Sequence, residues 1–213
     1  MNVEQAYNLW ASQYDSNQNK TRDLEAISLR ETLADISFIR CLEIGCGTGK
    51  NTEWLITKAH HVTAVDLSEA MLSVARDKVP SASVKFIRAD INDLWTFAEP
   101  YYDLITFSLI LEHIEDLPGI FDKASKIIEP GGYVYVGELH PFKQYAGTKA
   151  RFDTAEGRHE VACFNHHLAD FVNAAKKSGF EIEVLKEYFD EKKKSVMPRI
   201  LTILLRKKTY SDT

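Results

Sequence analysis

Apolar residues near the start of the chain follow a helical period. They recur three or four positions apart at Val3, Tyr7, Trp10, Ala11 and Tyr14. This spacing predicts an amphipathic helix over residues 3–14, and a second helical stretch is predicted over residues 22–34. Both helices come before any strand, so this first part of the chain differs in kind from the rest.

From residue 38 onward, short apolar runs alternate with amphipathic stretches. The predicted strands cover residues 38–44, 62–65, 84–87, 102–107, 133–137, 180–188 and 199–205. Ser68 before Glu69 predicts the start of a crossover helix, since a serine side chain can accept a backbone N–H at that position. Repeated strand–helix units of this kind indicate a largely parallel sheet.

The last part of the chain departs from this alternation. Residues 138–163 show no strong period and are predicted to form an irregular segment. A helix is predicted over residues 166–177, followed by the last two strands. The link between those strands is too short for a helical crossover, so they are predicted to be antiparallel. The predicted fold is α/β and doubly wound, with a mostly parallel seven-stranded sheet and an antiparallel final strand.

Two glycine-rich sequences border strands. Pro130-Gly131-Gly132 is predicted to end a helix over residues 117–128, because proline cannot continue it. The other follows the first strand and reads Cys41-Leu42-Glu43-Ile44-Gly45-Cys46-Gly47-Thr48-Gly49. Its Gly-x-Gly-x-Gly spacing differs from the Gly-x-Gly-x-x-Gly pattern that binds dinucleotides, and no P-loop Lys-Ser pair follows it.

This glycine loop resembles the first motif of the class I S-adenosylmethionine-dependent methyltransferases. By motif match, Glu43 takes the place of the acid that helps to position the amino-acid part of the cofactor. Gly45, Gly47 and Gly49 take the places of the loop that holds it. The resemblance implies S-adenosyl-L-methionine as the cofactor and methyl transfer as the activity.

Further positions match the family at the right places in the alternation. Asp66 follows the second strand, where an acid can accept both ribose hydroxyls, and Asp90-Ile91 follows the third, at the expected adenine position. Residues around Ser108 resemble the fourth-strand motif, and Pro130-Gly131-Gly132 resembles the turn before the fifth strand. The complete predicted cofactor set is Tyr14, Glu43, Gly45, Cys46, Gly47, Gly49, Asp66, Leu67, Met71, Asp90, Ile91 and Ser108.

The resemblance divides the chain, read as one domain over residues 1–213, into four segments. These are the helical cap (1–35), the cofactor-binding core (36–139), an irregular acceptor-site segment (140–165) and a C-terminal helix and hairpin (166–213). The predicted acceptor is a small molecule, methylated on N, O or C. Two alternatives stay open: a non-catalytic cofactor-binding or protein-interaction domain, and an aminopropyl-type transferase on the same fold.

Histidines are the predicted proton acceptors, because their unperturbed pKa lies near neutral pH. His113 follows the fourth strand and His140 follows the fifth, at the edge where doubly wound sheets bind ligands. These two are the predicted catalytic residues. No metal is predicted, although His140, His159, Cys163 and His166 are a conceivable set; His166 and His167 flank the irregular segment.

Charge and cysteine content bear on partners and location. The chain has 31 acidic and 26 basic residues among 213, and a formal charge of −5. That balance argues against nucleic acid and membrane surfaces as partners, as does the lack of an Asn/Asp-Pro-Pro-Tyr run after the fourth strand. Three cysteines, without a Cys-x-x-Cys pair, fit a reducing compartment. The expectation is a cytoplasmic monomer or homodimer.

Overall fold

A computed structural model describes residues 2–16, 18–154, 157–190 and 197–209. The helices are α1 (Val3–Tyr14), α2 (Lys20–Thr32), α3 (Thr52–Leu55), α4 (Glu69–Lys78), α5 (Leu117–Ile127), α6 (Pro141–Tyr145) and α7 (Leu168–Lys177). The strands are β1 (Arg40–Ile44), β2 (His61–Asp66), β3 (Val84–Arg88), β4 (Tyr102–Ser108), β5 (Ile128–Leu139), β6 (Arg151–Thr154), β7 (Gly157–Glu160), β8 (Phe180–Tyr188) and β9 (Ile200–Lys207). A 3₁₀ turn, Leu111–His113, follows β4.

Seven strands form one sheet in the order β3-β2-β1-β4-β5-β9-β8. Strands β1 to β5 pair in parallel, whereas β9 is antiparallel to both of its neighbours, β5 and β8. The predicted doubly wound sheet with its antiparallel final strand is therefore confirmed. Because the strand order reverses between β1 and the central strand β4, the loops after these two strands border a crevice at the carboxyl edge.

Apolar layers cover both faces of the sheet. One core cluster joins α5 and α7 to the sheet through residues such as Phe107, Phe121 and Phe180. The other contains Leu29 of α2, Leu33 directly after that helix, and Cys41 and Tyr135 of the sheet. Most of helix α2 thus packs on a face of the sheet, whereas its first turn and α1 border the cleft at the carboxyl edge.

Helix boundaries follow local hydrogen bonding. Helix α2 begins at Lys20, two residues before the predicted start. Asn19 caps it there, because its side chain accepts the N–H groups of Thr21 and Arg22. Ser68 caps α4 as predicted and accepts the N–H of Met71 at 3.1 Å. At the start of β1, Asp103 accepts the N–H groups of Ile39 and Arg40, and the strand begins at residue 40 rather than 38.

Two predictions about backbone shape are wrong. The predicted helix over residues 117–128 is confirmed as α5, but Pro130-Gly131-Gly132 is not a turn before the fifth strand. Strand β5 already begins at Ile128, which pairs with Tyr102, and it bulges until pairing resumes at Tyr133. The segment 140–165 is not irregular throughout, since it contains α6 and the antiparallel pair β6–β7. These elements have only four or five residues each, too few to show a clear period.

The cap helix α1 is anchored on both sides. On one side, Trp10 stacks on Phe152 of β6 with 5.1 Å between ring centroids. On the other side, Ala6 of α1 and Met71 of α4 belong to one buried apolar cluster.

Within the ranges that the structure describes, no helix has the length and apolar character needed to cross a membrane.

A buried polar network ties α2 to β5. The Tyr135 hydroxyl donates to Glu25 Oε1 at 3.1 Å, and the hydroxyl of Ser28 lies 3.1 Å from the same phenol oxygen. Thr202 of β9 bonds to Ser28, and Asn51 donates to Glu25 Oε2 at 3.0 Å. Burial raises the pKa of the Glu25 carboxyl, and these donors lower it in part.

We expect Tyr135→Phe to lower the free energy of unfolding by about 1 to 3 kcal/mol, because it removes one donor from a buried carboxyl group and one partner from Ser28. Urea unfolding of the whole chain measures the change. Tyr133→Phe, two residues earlier on β5 and half-buried, is the control and should stay within about 0.5 kcal/mol of the parent. Equal losses in both variants would contradict the assigned role of the network.

Candidate active site

The glycine loop after β1 forms the floor of a cleft at the carboxyl edge. Val65 O accepts the N–H groups of Gly45 and Cys46 at 2.8 and 3.0 Å, which ties the loop to β2. Gly45 has φ +75°, and a Cβ there would lie 2.6 Å from Ile110 Cδ1. Gly47 has φ +52°, with no atom within 4 Å of its Cβ position. The loop backbone is therefore left-handed and open to a ligand.

Asp66 ends β2 and holds this loop. Its Oδ2 accepts the Gly47 N–H and its Oδ1 the Ser68 N–H, both at 2.8 Å. A carboxylate oxygen has two lone pairs, so each oxygen can accept one further hydrogen bond. Burial raises the pKa of the carboxyl group, and the backbone donors lower it in part.

Glu43, on β1, is buried behind the loop at 3% exposure. The Thr52 hydroxyl donates to its Oε2 at 2.5 Å. Burial raises the pKa of the Glu43 carboxyl to about 8, with a further contribution from the negative charges of Glu25 and Asp66. The group is therefore mostly protonated at pH 7, and a nearby cation would ionise it.

The expected adenine side of the cleft is a cavity of about 260 Å³. Asp66, Leu67, Asp90 and Ile91 line it together. Asp90 Oδ1 accepts the backbone and side-chain N–H groups of Asn92 at 2.8 and 2.9 Å, which fixes the turn after β3. The predicted positions after β2 and β3 thus face one cavity.

The remaining predicted cofactor residues fall into two groups. Tyr14, Cys46 and Ser108 line cavities next to the glycine loop. Gly49 and Met71 occupy packing positions instead: a Cβ on Gly49 would lie 3.2 Å from Ala75 Cβ of α4, and Met71 is buried under α1. Their role is to bring α4 close to the loop.

A second cavity of about 230 Å³ lies under the cap. Its walls come from α1, the first turn of α2, the loop after β4 and residues 148–151. Tyr7, Tyr14 and Leu109 line both this cavity and a smaller one of about 60 Å³ beside Asp66 and the glycine loop. Leu109 has φ +55°, an uncommon conformation for a side-chain-bearing residue that often marks a functional site. The cavity under the cap and the smaller cavity beside the glycine loop therefore meet at these three residues.

His113 lies at this junction and is 7% exposed. Its Nδ1 is 2.7 Å from the carbonyl oxygen of Ala162, which can only accept, so Nδ1 carries the proton. The Nε2 atom is 2.9 Å from the Tyr7 hydroxyl and accepts its hydrogen. Burial raises the pKa of Tyr7 well above its ordinary value. The geometry thus suits a phenol that donates to the Nε2 atom of the imidazole.

Donor atoms of Glu112, His113 and Cys163 lie within 4.8 Å of one another. Both ring nitrogens of His113 already have partners, and burial raises the pKa of the Cys163 thiol to about 12. A metal would need the thiolate and a free ring nitrogen. The cluster therefore fits a proton network better than a metal centre.

His140 occupies a structural position. Its Nδ1 accepts the N–H of Phe142 at 3.2 Å and caps α6, and its Nε2 lies 3.0 Å from Glu187 Oε1. Burial lowers the pKa of the imidazole, and the Glu187 carboxylate raises it in part. The structure therefore does not bring His140 to the cavity that His113 lines.

The other histidines are dispersed. His159 stacks on Phe152 at 5.3 Å, His166 Nε2 lies 2.6 Å from Ile114 O, and His167 precedes α7. The conceivable metal set of His140, His159, Cys163 and His166 does not come together: among the described residues, only Glu112, His113 and Cys163 group their donor atoms.

Several residues of the cleft were not predicted from the sequence. Helical spacing predicts Tyr7 in the cap, but nothing in the sequence indicates its bond to His113, 106 positions away. Arg22, Glu25, Leu109 and Glu112 also line the cavities. The one available signal was the charge of residues 22 and 25, which share the buried face of α2 with Ala26 and Leu29.

Comparison with known proteins finds similarity to methyltransferases. Residues 42–136 match the model of the methyltransferase domain family. The biotin biosynthesis bifunctional protein BioHC of Cellvibrio japonicus is 32% identical over 139 residues, which cover 65% of this chain and 27% of that protein. The ubiquinone biosynthesis O-methyltransferase of Bordetella bronchiseptica is 28% identical over 152 residues, 66% of this chain and 63% of its own length. The chain thus spans less than two thirds of either relative.

A solved structure shares the fold over most of its length. The S-adenosylmethionine-dependent methyltransferase from Mesorhizobium loti superposes with a TM-score of 0.71 at 25% identity, covering 85% of this chain and 96% of that one. In the matched domain, the glycine loop with Asp66 and the sheet topology, the chain is thus similar to S-adenosylmethionine-dependent methyltransferases.

Proposed function

We propose that the protein transfers a methyl group from S-adenosylmethionine to a small-molecule acceptor. The observation that carries the proposal is the junction at Tyr7, Tyr14 and Leu109, where the glycine-loop cavity meets the cavity under the cap. When bound, the cofactor supplies an electrophilic methyl group on a sulfonium. Similarity to an enzyme named for ubiquinone biosynthesis supports a small metabolite as the acceptor.

The residues of the chain fit the cofactor. The open backbone at Gly47 admits a ligand against the loop, and Asp66 can accept from a pair of hydroxyls. Glu43 and Glu25, buried beside the loop, favour a cationic amino group. Methyl transfer is a single displacement, so the main contribution of the protein is to align the two molecules and exclude water. The aromatic side chains of α1 provide that exclusion.

A proton can leave the acceptor through Tyr7 and His113. Tyr7 lines both cavities, and its hydroxyl hydrogen already points to His113 Nε2. When an acceptor O–H or N–H gives its proton to the Tyr7 oxygen, the Tyr7 proton moves to Nε2, and the imidazole becomes cationic. Glu112 Oε1, 3.9 Å from Nε2, stabilises that charge when ionised. This relay serves acceptors that must lose a proton.

The two alternatives have less support. An aminopropyl-type transferase needs acids that hold a cationic acceptor, whereas the cavity under the cap has three basic side chains and one acidic one. A non-catalytic binder would not need the Tyr7–His113 pair at the junction.

We also propose a cytoplasmic location and no nucleic-acid partner. The free cysteines support the location, and the net charge of −5 supports the absence of a nucleic-acid partner.

The decisive experiment follows transfer of a labelled methyl group from S-adenosylmethionine to a metabolite extract, with S-adenosylhomocysteine release as a second readout. We expect the label to appear in a small molecule, with one S-adenosylhomocysteine released for each methyl group transferred. Binding of S-adenosylhomocysteine without labelling of extracts from several growth conditions would favour the non-catalytic alternative.

For Asp66→Asn we expect S-adenosylhomocysteine to bind about 10- to 150-fold more weakly, because a charged acceptor of hydrogen bonds is lost, at about 1.5 to 3 kcal/mol. Asp103→Asn is the matched control. Asp103 also accepts two backbone N–H groups, but at the start of β1, away from the cleft. Calorimetry measures both affinities, and an unchanged affinity in Asp66→Asn would refute the assignment of this residue.

Cofactor binding should release a proton near pH 7. Glu43, with its pKa raised to about 8, is mostly protonated there, and a bound cation lowers that pKa. Affinity should therefore rise as the pH approaches about 8 and level off above it. Calorimetry in buffers of different ionisation enthalpy measures the release. Cofactor binding to the Glu43→Gln variant should release fewer protons, and its affinity should lose most of its dependence on pH. An identical proton release in both proteins would exclude Glu43 as the source.

Variants at the junction should separate chemistry from stability. We expect His113→Ala and Tyr7→Phe to lower kcat about 10²- to 10⁴-fold for an acceptor that loses a proton, with cofactor affinity within about threefold. His140→Ala should instead lower the free energy of unfolding by about 0.5 to 2 kcal/mol, through loss of the α6 cap, and largely keep kcat. A folded His140→Ala protein without activity, beside an active His113→Ala protein, would reverse this assignment.

A further inference from the structure

The cavity under the cap carries an excess of positive side chains. Arg22, Lys149 and Arg151 line it, and Glu112 is the one acidic residue among its walls. Glu112 is 6% exposed, and burial raises the pKa of its carboxyl group. A carboxyl held toward its neutral form offsets little positive charge, so the cavity favours an anion.

Arg22 packs against Tyr14 at the inner wall of this cavity. Its guanidinium lies 4.0 Å from the centroid of the Tyr14 ring and donates to the Tyr14 carbonyl oxygen. Arg22 is buried, and it lines both the cavity under the cap and the one beside the glycine loop.

The other two cations lie at the outer part of the cavity. Lys149 Nζ is 3.3 Å from Glu160 Oε2, and both side chains are about half exposed. Such surface ion pairs contribute little and yield readily to a competing anion. Arg151, at the start of β6, is exposed and lines the same wall. Two positive side chains, two residues apart in the sequence, therefore line the same cavity as Tyr7 and Leu109.

We propose that the methyl acceptor carries an oxyanion, a carboxylate or a phosphate, which binds Lys149 and Arg151 and thereby points the rest of the acceptor toward Tyr7. This inference rests on the proposed function, because it names the class of acceptor for that site. The anion fixes the orientation, and the reacting O–H or N–H lies next to the Tyr7 oxygen. Arg22 adds long-range attraction from the inner wall.

The test measures binding of defined probes to the full chain, with and without saturating S-adenosylhomocysteine. The probes are benzoate, phenyl phosphate, neutral benzamide and cationic benzylamine. We expect benzoate or phenyl phosphate to bind at least tenfold more tightly than benzamide, and benzylamine most weakly. The comparison of benzoate with phenyl phosphate identifies the preferred oxyanion.

Variants locate the anion. Lys149→Ala/Arg151→Ala should reduce the preference for the anionic probe about tenfold, as expected for two partly exposed charges. Glu160→Gln should increase it about twofold, because Lys149 loses its competing partner. The matched control, Arg30→Ala/Lys176→Ala, removes the same charges from exposed positions on α2 and α7 and should leave the preference unchanged. Arg22 stays intact, since it also borders the cofactor space.

The outcomes separate this inference from the proposed function. Equal binding of benzoate, phenyl phosphate and benzamide, or an anion preference that survives Lys149→Ala/Arg151→Ala, would overturn the anionic acceptor while S-adenosylhomocysteine binding stands. Absence of S-adenosylhomocysteine binding would refute the proposed function. The titrations without that ligand still measure the anion preference in that case. Loss of the preference in the control variant as well would show a nonspecific charge effect and overturn the site.

Discussion

The cleft depends on carboxyl groups that the chain buries along the carboxyl edge of the sheet. Asp66 holds the glycine loop through Gly47, and Glu138 holds the loop after β4 by accepting the N–H groups of Ile110 and Leu111 at 3.0 and 2.9 Å. Glu43 bonds to Thr52 of α3. An unpaired buried carboxylate is costly, so each group persists only where the chain supplies donors. The same bonds fix the loops that form the site.

This concentration of acids sets the electrostatics of the cleft. Burial raises the pKa of Glu25, Glu43, Asp66 and Glu138, and the negative charges of neighbours add to the effect at Glu43 and Glu138. A cationic ligand relieves that repulsion. Arg22, Lys149 and Arg151 line the opposite cavity. The protein thus separates an acidic floor, suited to a sulfonium cofactor, from a basic space suited to an anionic acceptor.

The sequence was a good guide where a signal is local. Strand periodicity, the Ser68 cap, the glycine spacing and the acids after β2 and β3 depend on neighbouring residues, and the structure brings Asp66, Asp90 and Ile91 to one cavity. The pair β6–β7 was missed, since four-residue strands barely show alternation. His113 and His140 looked equivalent from their positions after strands. Only tertiary contacts distinguish a histidine bonded to Tyr7 from one that caps α6.

Tyr7 links the two halves of this arrangement. It is held in α1, whose ties to the core include Asn8, which accepts from Ser68 Oγ at 2.6 Å, and Asp15, which accepts from Thr48 Oγ1 at 2.7 Å. Ser68 also donates its N–H to Asp66, so one short chain of bonds connects the cap helix to the carboxylate that shapes the cofactor space. A change that loosens the cap therefore displaces the Tyr7 oxygen from both cavities. Because alignment contributes much of the rate of a single displacement, cap position and chemistry are coupled even though no residue of α1 belongs to the glycine-loop motif.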